Sequence, residues 1–453
     1  MIKIKNIVVT LALASQLSGC GLYTKFQPAT PSDIVDNLYS YVEPSESDAS
    51  LLSLSWRELF TDSKLQALIE QGLESNTDLN VARLSVEQAE IALRTARLAY
   101  LPSLGFEASA NTTSVPSSSY TLSVAASWEI DIFGKIRNAK EQQMAALEQS
   151  KAYSQAVQTE LIATIANSYY SLLLLDKQIE ISNNTLEIWQ ANIRTVEALN
   201  KAGRVNKTSV LQARANKVAL ESSIVALEEQ VAQIENTLSV LIGSVAQRID
   251  RSSMGEAQLQ CQAAAGVPLQ MVANRPDVRI AEYELAQAYY ATNTARASLY
   301  PSLTLGGSAA YSDGSSVISN PGQVIYSAVA SVVQPIFYQN SLRAQVQISE
   351  AQQQQALLQF NQAILDAGAE VNTALLAWQS ADAQLDYTEQ QIALLTEAVG
   401  ASQLLMQHGS VNYLEVLTAQ ITLLQAELSY SATQYNQNQS AIDLYRALGG
   451  GKE

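Results

Sequence analysis

Most of the chain follows a helical pattern of apolar and polar positions. Two proline-free tracts, 117 to 267 and 336 to 453, are rich in Ala, Gln, Leu and Glu, and their apolar residues recur three and four positions apart. This composition and spacing predict long α-helices. No glycine or proline interrupts the segment from Asn138 to Lys201, so a single helix there would be about 95 Å long at 1.5 Å per residue.

Two other segments alternate apolar and polar residues with a period of two, the pattern of a strand with one apolar face. In the first segment the apolar positions are Leu104, Phe106, Ala108 and Ala110, followed by Leu122, Val124, Ala126, Trp128, Ile130 and Ile132. In the second they are Leu303, Leu305, Gly307 and Ala309, followed by Val324, Tyr326, Ala328, Ala330 and Val332. These patterns predict β-hairpins at about 103–133 and 302–336. Strands of about ten residues are long enough to cross a bilayer at a tilt; the alternative is a half-buried hairpin on a soluble domain.

The sequence also contains an internal duplication, a feature that indicates a repeated supersecondary unit. TARLAYLPSL at 95–104 returns as TARASLYPSL at 294–303, a shift of 199 positions. LNKAGRVNKTSVLQA at 199–213 returns as LMQHGSVNYLEVLTA at 405–419, a shift of 206 positions with 7 identities in 15. Both halves have the same order of helix, hairpin, long helix, glycine turn and returning helix.

From this duplication we predict two repeats, 56–250 and 251–453, whose helix hairpins turn near residues 203 and 409. Each repeat supplies one β-hairpin. Four strands are too few to close a barrel, and open strand edges are not tolerated in lipid. No apolar run after residue 20 is long enough for a spanning helix. If these strands span a membrane, several chains must pool them.

The first residues resemble an export signal that ends in a lipid-attachment site. Two lysines precede a short apolar run in MIKIKNIVVTLALASQLSG, and that run is shorter than the roughly 20 residues of a membrane span. Leu17-Ser18-Gly19-Cys20 resembles the lipobox of bacterial lipoproteins, in which the signal is cleaved before a cysteine that then carries a lipid. We therefore predict a signal peptide at 1–19, lipid on Cys20, and a linker at 20–55. An ordinary signal with a chance cysteine is the alternative.

Composition excludes several functions. The chain of 453 residues has a formal net charge of −16, one histidine and two cysteines. An acidic protein is an improbable partner for nucleic acid, because binding nucleic acid requires a basic surface. One histidine, His408, cannot build a serine triad or a histidine-rich metal site within a chain. We expect no catalytic residues, no metal site and no cofactor apart from the lipid, and we assign no role to Cys261.

Several longer motifs resemble the TolC-like outer-membrane efflux protein family, specifically the lipoprotein branch that serves resistance-nodulation-division pumps. They are WRELFTDSKLQALIEQGLESNTDL (56–79), WEIDIFGKIRNA (128–139), NRPDVRIAE (274–282), YPSL (300–303) and QPIFYQNSLRA (334–344). The resemblance implies a mainly α fold with a β-barrel part. It implies a homotrimer whose twelve strands form one outer-membrane barrel, continued by a periplasmic barrel of helices. Shorter helices at 62–99 and 205–242 would stack end to end beside the long helix.

The resemblance also assigns roles to the two glycine turns. The hairpin tips would contact a periplasmic adaptor protein through Gly203, Arg204, Val205, Gly409, Ser410 and Val411. The channel would close at the same end, where Leu414, Glu415 and Thr418 share one helix face. This sequence departs from the family pattern, because Thr418 occupies a position where aspartate is common. The alternatives are that Glu415 is a solvated helix acid, or that the gate lies at the matching residues Thr208, Ser209 and Gln212.

The function that follows is a passive, trimeric duct of a tripartite efflux pump. Its partners would be a periplasmic adaptor, an inner-membrane resistance-nodulation-division transporter and outer-membrane lipid. Its cargo would be drugs or other small toxic compounds, chosen by the pump. Two alternatives are the outlet of a type I-like peptide or protein secretion system and a structural coiled-coil lipoprotein without a channel.

Overall fold

A computed structural model describes residues 24–27, 55–112, 118–255, 257, 259, 275–313, 323–408 and 413–450. Within these residues the chain forms eight helices and four strands. In chain order they are α1 (Trp56–Leu59), α2 (Ser63–Ser75), α3 (Thr77–Leu98), β1 (Ser103–Thr112), β2 (Ser118–Ile130), α4 (Lys135–Lys201), α5 (Lys207–Leu241), α6 (Pro276–Ala297), β3 (Ser302–Asp313), β4 (Gln323–Val333), α7 (Ser341–Gln407) and α8 (Tyr413–Ala447).

Six of the eight helices form three pairs of equal length. Helices α4 and α7 each have 67 residues, α5 and α8 each have 35, and α3 and α6 each have 22. None of the helices in the described part of the chain carries an apolar stretch long enough to cross a membrane.

The helix predicted over 62–99 is divided in two at Asn76. Helix α2 ends at Ser75, and the Asn76 side chain accepts a hydrogen bond from the amide of Leu79 at 3.0 Å, which caps α3. The same side chain donates to the carbonyl of Leu241 at 3.0 Å. Asparagine is among the residues that best cap a helix N-terminus. The break therefore coincides with a local N-cap at Asn76, whose side chain also contacts a distant helix end.

The four strands form one antiparallel sheet in the order β1-β2-β3-β4. Directly opposed residues share a face of the sheet, and one such row contains Phe106, Val124, Ala309 and Tyr326. The register thus collects the predicted apolar positions of all four strands on one face. On the opposite face, the hydroxyls of Ser308 and Ser327 lie 2.7 Å apart. Strands β1 and β4 are the two edges of this sheet.

The chain divides into two compact units. The sheet unit contains Arg83–Tyr153 and Asp277–Ala363, and the helical unit contains Ser154–Pro276 and Ile364–Glu453 together with Ser32–Ala82. The helical unit has a large apolar core that includes Trp56, Phe60, Tyr169, Tyr170 and Ile442, each at most 1% exposed. We call this region the base of the helical unit.

Candidate functional site

The first helix hairpin turns through a glycine. Gly203 has φ +71, and its amide donates to the carbonyl of Asn200 at 3.0 Å. The amide of Arg204 donates to the carbonyl of Leu199 at 2.9 Å, and the Asn200 side chain donates to the carbonyl of Val205 at 2.7 Å. A residue in the left-handed conformation just after a helix, with these bonds, is a common helix ending. The turn is therefore fixed by its own backbone, with Gly203 and Arg204 exposed and Val205 half-buried.

The second hairpin has two distinct faces at the start of α8. Tyr413, Val416 and Leu417 are at most 2% exposed, whereas Leu414 is 56% exposed. Glu415 and Thr418 are exposed as well, and the Thr418 hydroxyl donates to the carbonyl of Leu414 at 2.8 Å. The structure therefore brings the three predicted gate residues together on one exposed face. Gly409, Ser410 and Val411 lie outside the described residues, as does Cys20.

The face of α8 opposite the predicted gate residues is buried against two other helices. Tyr413 and Leu417 belong to an apolar cluster with residues of two other helices, namely Ile193, Val196, Val210 and Ala213. Burial raises the pKa of Tyr413, so its hydroxyl is neutral in the folded chain. We call this cluster, the turn at Gly203 and the start of α8 the tip of the helical unit. The alternative gate residues Thr208 and Gln212 are also exposed at the tip, while Ser209 is half-buried.

Charged side chains at the tip are accessible to water. Lys201, Arg204, Lys207 and His408 are all exposed. Arg214 donates from Nε to Glu197 at 3.0 Å, and 59% of its side chain is exposed. Exposed ion pairs contribute at most about 1 kcal/mol. A small apolar cluster therefore holds the tip, and its exposed charged side chains add little to its stability.

The base contains an ion cluster that sequence reasoning missed. The Arg251 side chain is 16% exposed and donates to Asp176 at 2.5 Å and to Glu235 at 2.5 Å. The hydrogen bond with Asp176 raises the pKa of Arg251, and the bond with Glu235 adds to that. These residues connect α4, α5 and the segment after α5. No sequence motif signals the cluster, because its members are far apart in the chain.

A buried tyrosine fixes the same segment. The hydroxyl of Tyr169 donates to Asp62 at 2.6 Å and accepts from the amide of Ser252 at 3.0 Å. Burial, followed by the bond to Asp62, raises the pKa of Tyr169. Tyr169 precedes the end of α4 by 32 residues, so this site is about 48 Å from the tip along the helix.

A second ion cluster joins the C-terminal end of α8 to two long helices. Arg275, whose side chain is 7% exposed, donates to Glu370 at 2.5 Å and to the carbonyl of Ala447 at 2.6 Å. Arg446 donates to Glu370 at 3.0 Å and to Glu160 at 3.1 Å. Among the described residues, no group of three or more His, Cys, Asp or Glu side chains is placed to hold a metal ion.

Comparison with known proteins identifies the family. Residues 68–244 and 267–450 match the model of the outer membrane efflux protein family, so the chain belongs to that family. It is similar over nearly its whole length to the cation efflux system protein CusC of Escherichia coli O6:H1, with 30% identity over 456 residues and 98% of each chain covered. The pyoverdine export outer membrane protein OpmQ of Pseudomonas putida is 31% identical over 445 residues, with 94% of each chain covered.

A solved structure supports the same assignment. A crystal structure of CusC, from work on folding and transmembrane channel formation, matches with a TM-score of 0.82 at 27% identity, covering 91% of this chain and 100% of that one. The chain is therefore an outer-membrane efflux channel, located in the outer membrane. The relatives are efflux and export proteins by name, not enzymes.

Proposed function

We propose that three copies of the chain form a passive, non-enzymatic duct through the outer membrane. The observation that carries this proposal is the sheet: one face is apolar across all four strands, and each edge strand has a partner on one side only among the described residues. Leu104 is 78% exposed and Tyr326 is 79% exposed on that face. In lipid, such a sheet must close on itself. Three copies would supply twelve strands, with the apolar face toward lipid and the serine-rich face toward water.

The long helices would continue the duct into the periplasm. At 67 residues, α4 and α7 would each be about 100 Å long at 1.5 Å per residue. The equal helix lengths in the two halves support two repeats per chain, so that the helical part would have the same approximate symmetry as the barrel. The hairpin tips at Gly203, Arg204 and Val205, and at Gly409, Ser410 and Val411, would contact a periplasmic adaptor. The adaptor would connect the duct to an inner-membrane resistance-nodulation-division transporter.

The gate of this duct would be the exposed face of Leu414, Glu415 and Thr418. Three-fold symmetry would convert each residue into a ring, with Leu414 forming an apolar constriction and Glu415 an acidic one. Rings of carboxylates favour cations in channels. The exposure of this face, and the burial of the opposite face against α4 and α5, support this assignment.

Lipid on Cys20 would assist sorting to the outer membrane. The support is the lipobox sequence at Leu17-Ser18-Gly19-Cys20. We propose no other cofactor. The two relatives named above differ in cargo, a cation and pyoverdine. We propose that the pump selects the cargo of this chain, which would be drugs or other small toxic compounds.

Charged substitutions on the two faces of β2 test the duct. Val124→Lys would place a charge in lipid, at a cost of about 2 to 4 kcal/mol near the midplane, whereas the neighbouring Ser123→Lys would place it in water. We expect Val124→Lys to abolish the heat-resistant trimer on unboiled gels and the drug tolerance of the producing strain. Ser123→Lys should preserve both. Equal losses would contradict the barrel, and a monomer in the wild type would contradict the trimer.

A further inference from the structure

The two halves of the chain can be aligned residue by residue, and two pairs of helices fix the alignment. Helices α4 and α7 begin at Lys135 and Ser341 and end at Lys201 and Gln407, a constant shift of 206. Helices α3 and α6 begin at Thr77 and Pro276 and end at Leu98 and Ala297, a constant shift of 199. Residues of α3 and β1 are thus 199 positions before their equivalents in α6 and β3. Residues of β2, α4 and α5 are 206 positions before their equivalents in β4, α7 and α8.

The hairpins obey the same two shifts. Ser103 opposes Ser127 in the first hairpin, and Ser302 opposes Val333 in the second. A side-chain hydrogen bond repeats as well. Trp128 donates from Nε1 to the carbonyl of Tyr100 at 2.9 Å, and the equivalent Gln334 donates from Nε2 to the carbonyl of Leu299 at 3.0 Å.

One difference between the halves indicates a missing partner. Strand β2 pairs with β1 only as far as Ser127, but it continues to Ile130 because its last three residues pair with β3. The equivalent residues 334–336 follow the end of β4 at Val333. In the part of the chain that the structure describes, no strand pairs with the outer edge of β4. Beside a neighbour equivalent to β3, residues 334–336 would extend β4, with Pro335 donating no hydrogen bond to the ladder. The equivalent of β3 is β1.

Exposed apolar residues occupy the positions that this pairing would place opposite each other. Ile130 opposes Leu303 and Trp128 opposes Leu305 within the chain. The equivalents of these pairs are Ile336 with Leu104 and Gln334 with Phe106. Ile336 is 95% exposed, Leu104 78% and Phe106 71%, whereas Leu305 is only 37% exposed.

We propose that β4 of one copy pairs antiparallel with β1 of the next copy in the register that β2 and β3 have within the chain. This inference rests on the proposed trimer and adds the residue pairing of its interface. The opposed pairs would be Ile336 with Leu104, Gln334 with Phe106, Val332 with Ala108, and Ala330 with Ala110. In each of these pairs both members lie at apolar-face positions of their strands, so the register continues the lipid-facing surface from one copy to the next.

This pairing is accessible only between copies. Strands β1 and β4 are separated by three strand spacings in the sheet, or about 14 Å at 4.8 Å each. A disulfide requires Cα atoms within about 7 Å of each other. A disulfide between an edge residue of β1 and an edge residue of β4 is therefore diagnostic of two chains.

Four double-cysteine variants test the register with only four substitutions, Ala108→Cys, Ala110→Cys, Ala330→Cys and Val332→Cys. They are introduced into full-length chain carrying Cys261→Ser, and outer membranes are oxidised before boiling in non-reducing detergent. In the matched variants, 108/332 and 110/330, disulfides should link most chains into a covalent trimer. A reductant should separate this trimer into monomers. The slipped pairs 108/330 and 110/332, with Cβ atoms about 7 Å apart or more, should give little cross-linked product. Trimer on unboiled gels is recorded for every variant.

The outcomes separate this inference from the proposed trimer. Faster cross-linking of the slipped pairs, or no cross-linking of the matched pairs within a heat-resistant trimer, would overturn the register and leave the trimer intact. Absence of any trimer in the parent chain would overturn both. Loss of assembly in the matched variants alone would also contradict the register, because the slipped variants contain the same four substitutions.

Discussion

The base and the tip of the helical unit are held together in different ways. At the base, Trp56 and Tyr169 are fully buried, and Arg251 connects Asp176 and Glu235. At the tip, a small apolar cluster lies beside exposed charges, and Leu414 is 56% exposed. Rearranging a densely packed, ion-paired core costs more free energy than rearranging a small cluster. We therefore expect the base to be the rigid part of the helical unit and the tip to be the part that changes when the channel opens.

The largest expected effect is at Arg251. Arg251→Met leaves Asp176 and Glu235 without their shared cation, and Glu235 is 13% exposed. Removing one partner of a largely buried ion pair costs about 3 kcal/mol. Thermal unfolding of the purified protein should begin at a clearly lower temperature. The control is Lys177→Met, which breaks an exposed pair with Glu180 and should cost less than about 1 kcal/mol. Equal shifts for the two variants would mean that the base is no more rigid than the surface.

The second effect compares two glycines in the same left-handed conformation. Gly243 at the base has φ +67, and an added Cβ would lie 2.8 Å from both Cβ and the carbonyl oxygen of Ser75. Gly203 at the tip has φ +71, and an added Cβ would meet nothing within 4 Å. Gly203→Ala should cost about 1 kcal/mol from the backbone conformation alone. Gly243→Ala adds a backbone clash and should cost about 3 kcal/mol. Equal destabilisation in thermal melts would contradict the packing difference.

The third effect is a pH dependence at the base. The pKa of Tyr169 is raised in the folded chain by burial and by its bond to Asp62. Above the ordinary tyrosine pKa of about 10, the unfolded chain loses this proton while the folded chain keeps it, so stability falls as the pH rises. Tyr169→Phe removes that loss. The variant should be less stable at pH 7 by about 1 to 2 kcal/mol, because Asp62 loses a buried hydrogen bond.

The melting temperature of this variant should then fall less steeply than that of the wild type between pH 10 and 12. Tyr153→Phe is the matched control, because it removes the hydroxyl of a tyrosine that is 53% exposed. A slope identical in the wild type and Tyr169→Phe would show that other groups dominate alkaline unfolding.

The smallest effect on stability is expected at the tip face. Glu415→Gln should lower the melting temperature only slightly, because the side chain is exposed and exposed charge interactions contribute at most about 1 kcal/mol. If the three copies of Glu415 form a ring, the substitution should reduce cation preference in single-channel recordings. Leu414→Ser should raise resting conductance instead. No change in either variant would place this face on the outside of the duct and direct the search to Thr208, Ser209 and Gln212.

The helices and strands are predictable from the sequence because they depend on local patterns. Helix α4 ends at Lys201, as the glycine turn indicates, and begins at Lys135, three residues before the predicted start at Asn138. The break at Asn76 is missed because the helical pattern continues through it, although Asn76 caps α3 locally; only its hydrogen bond to Leu241, at the end of a distant helix, depends on the folded chain.

The candidate site is predictable in part for the same reason. Residues at positions 414, 415 and 418 share a face by helical spacing alone, and the structure exposes that face. The ion cluster at the base is not predictable, since Asp176 and Arg251 are 75 residues apart and surface acids and arginines elsewhere in the chain look the same in sequence. Only the folded chain shows which charges are buried together.

The most direct test of the account is the electrical conductance of the purified protein in a planar lipid bilayer. A heat-resistant trimer that forms a duct should insert and give discrete, uniform current steps, with cations preferred over anions under a salt gradient. The steps should disappear for Val124→Lys and persist for Ser123→Lys. A heat-resistant trimer that incorporates into the bilayer and carries no current under any applied voltage, even with Leu414→Ser, would contradict the duct and favour a structural role for the long helices.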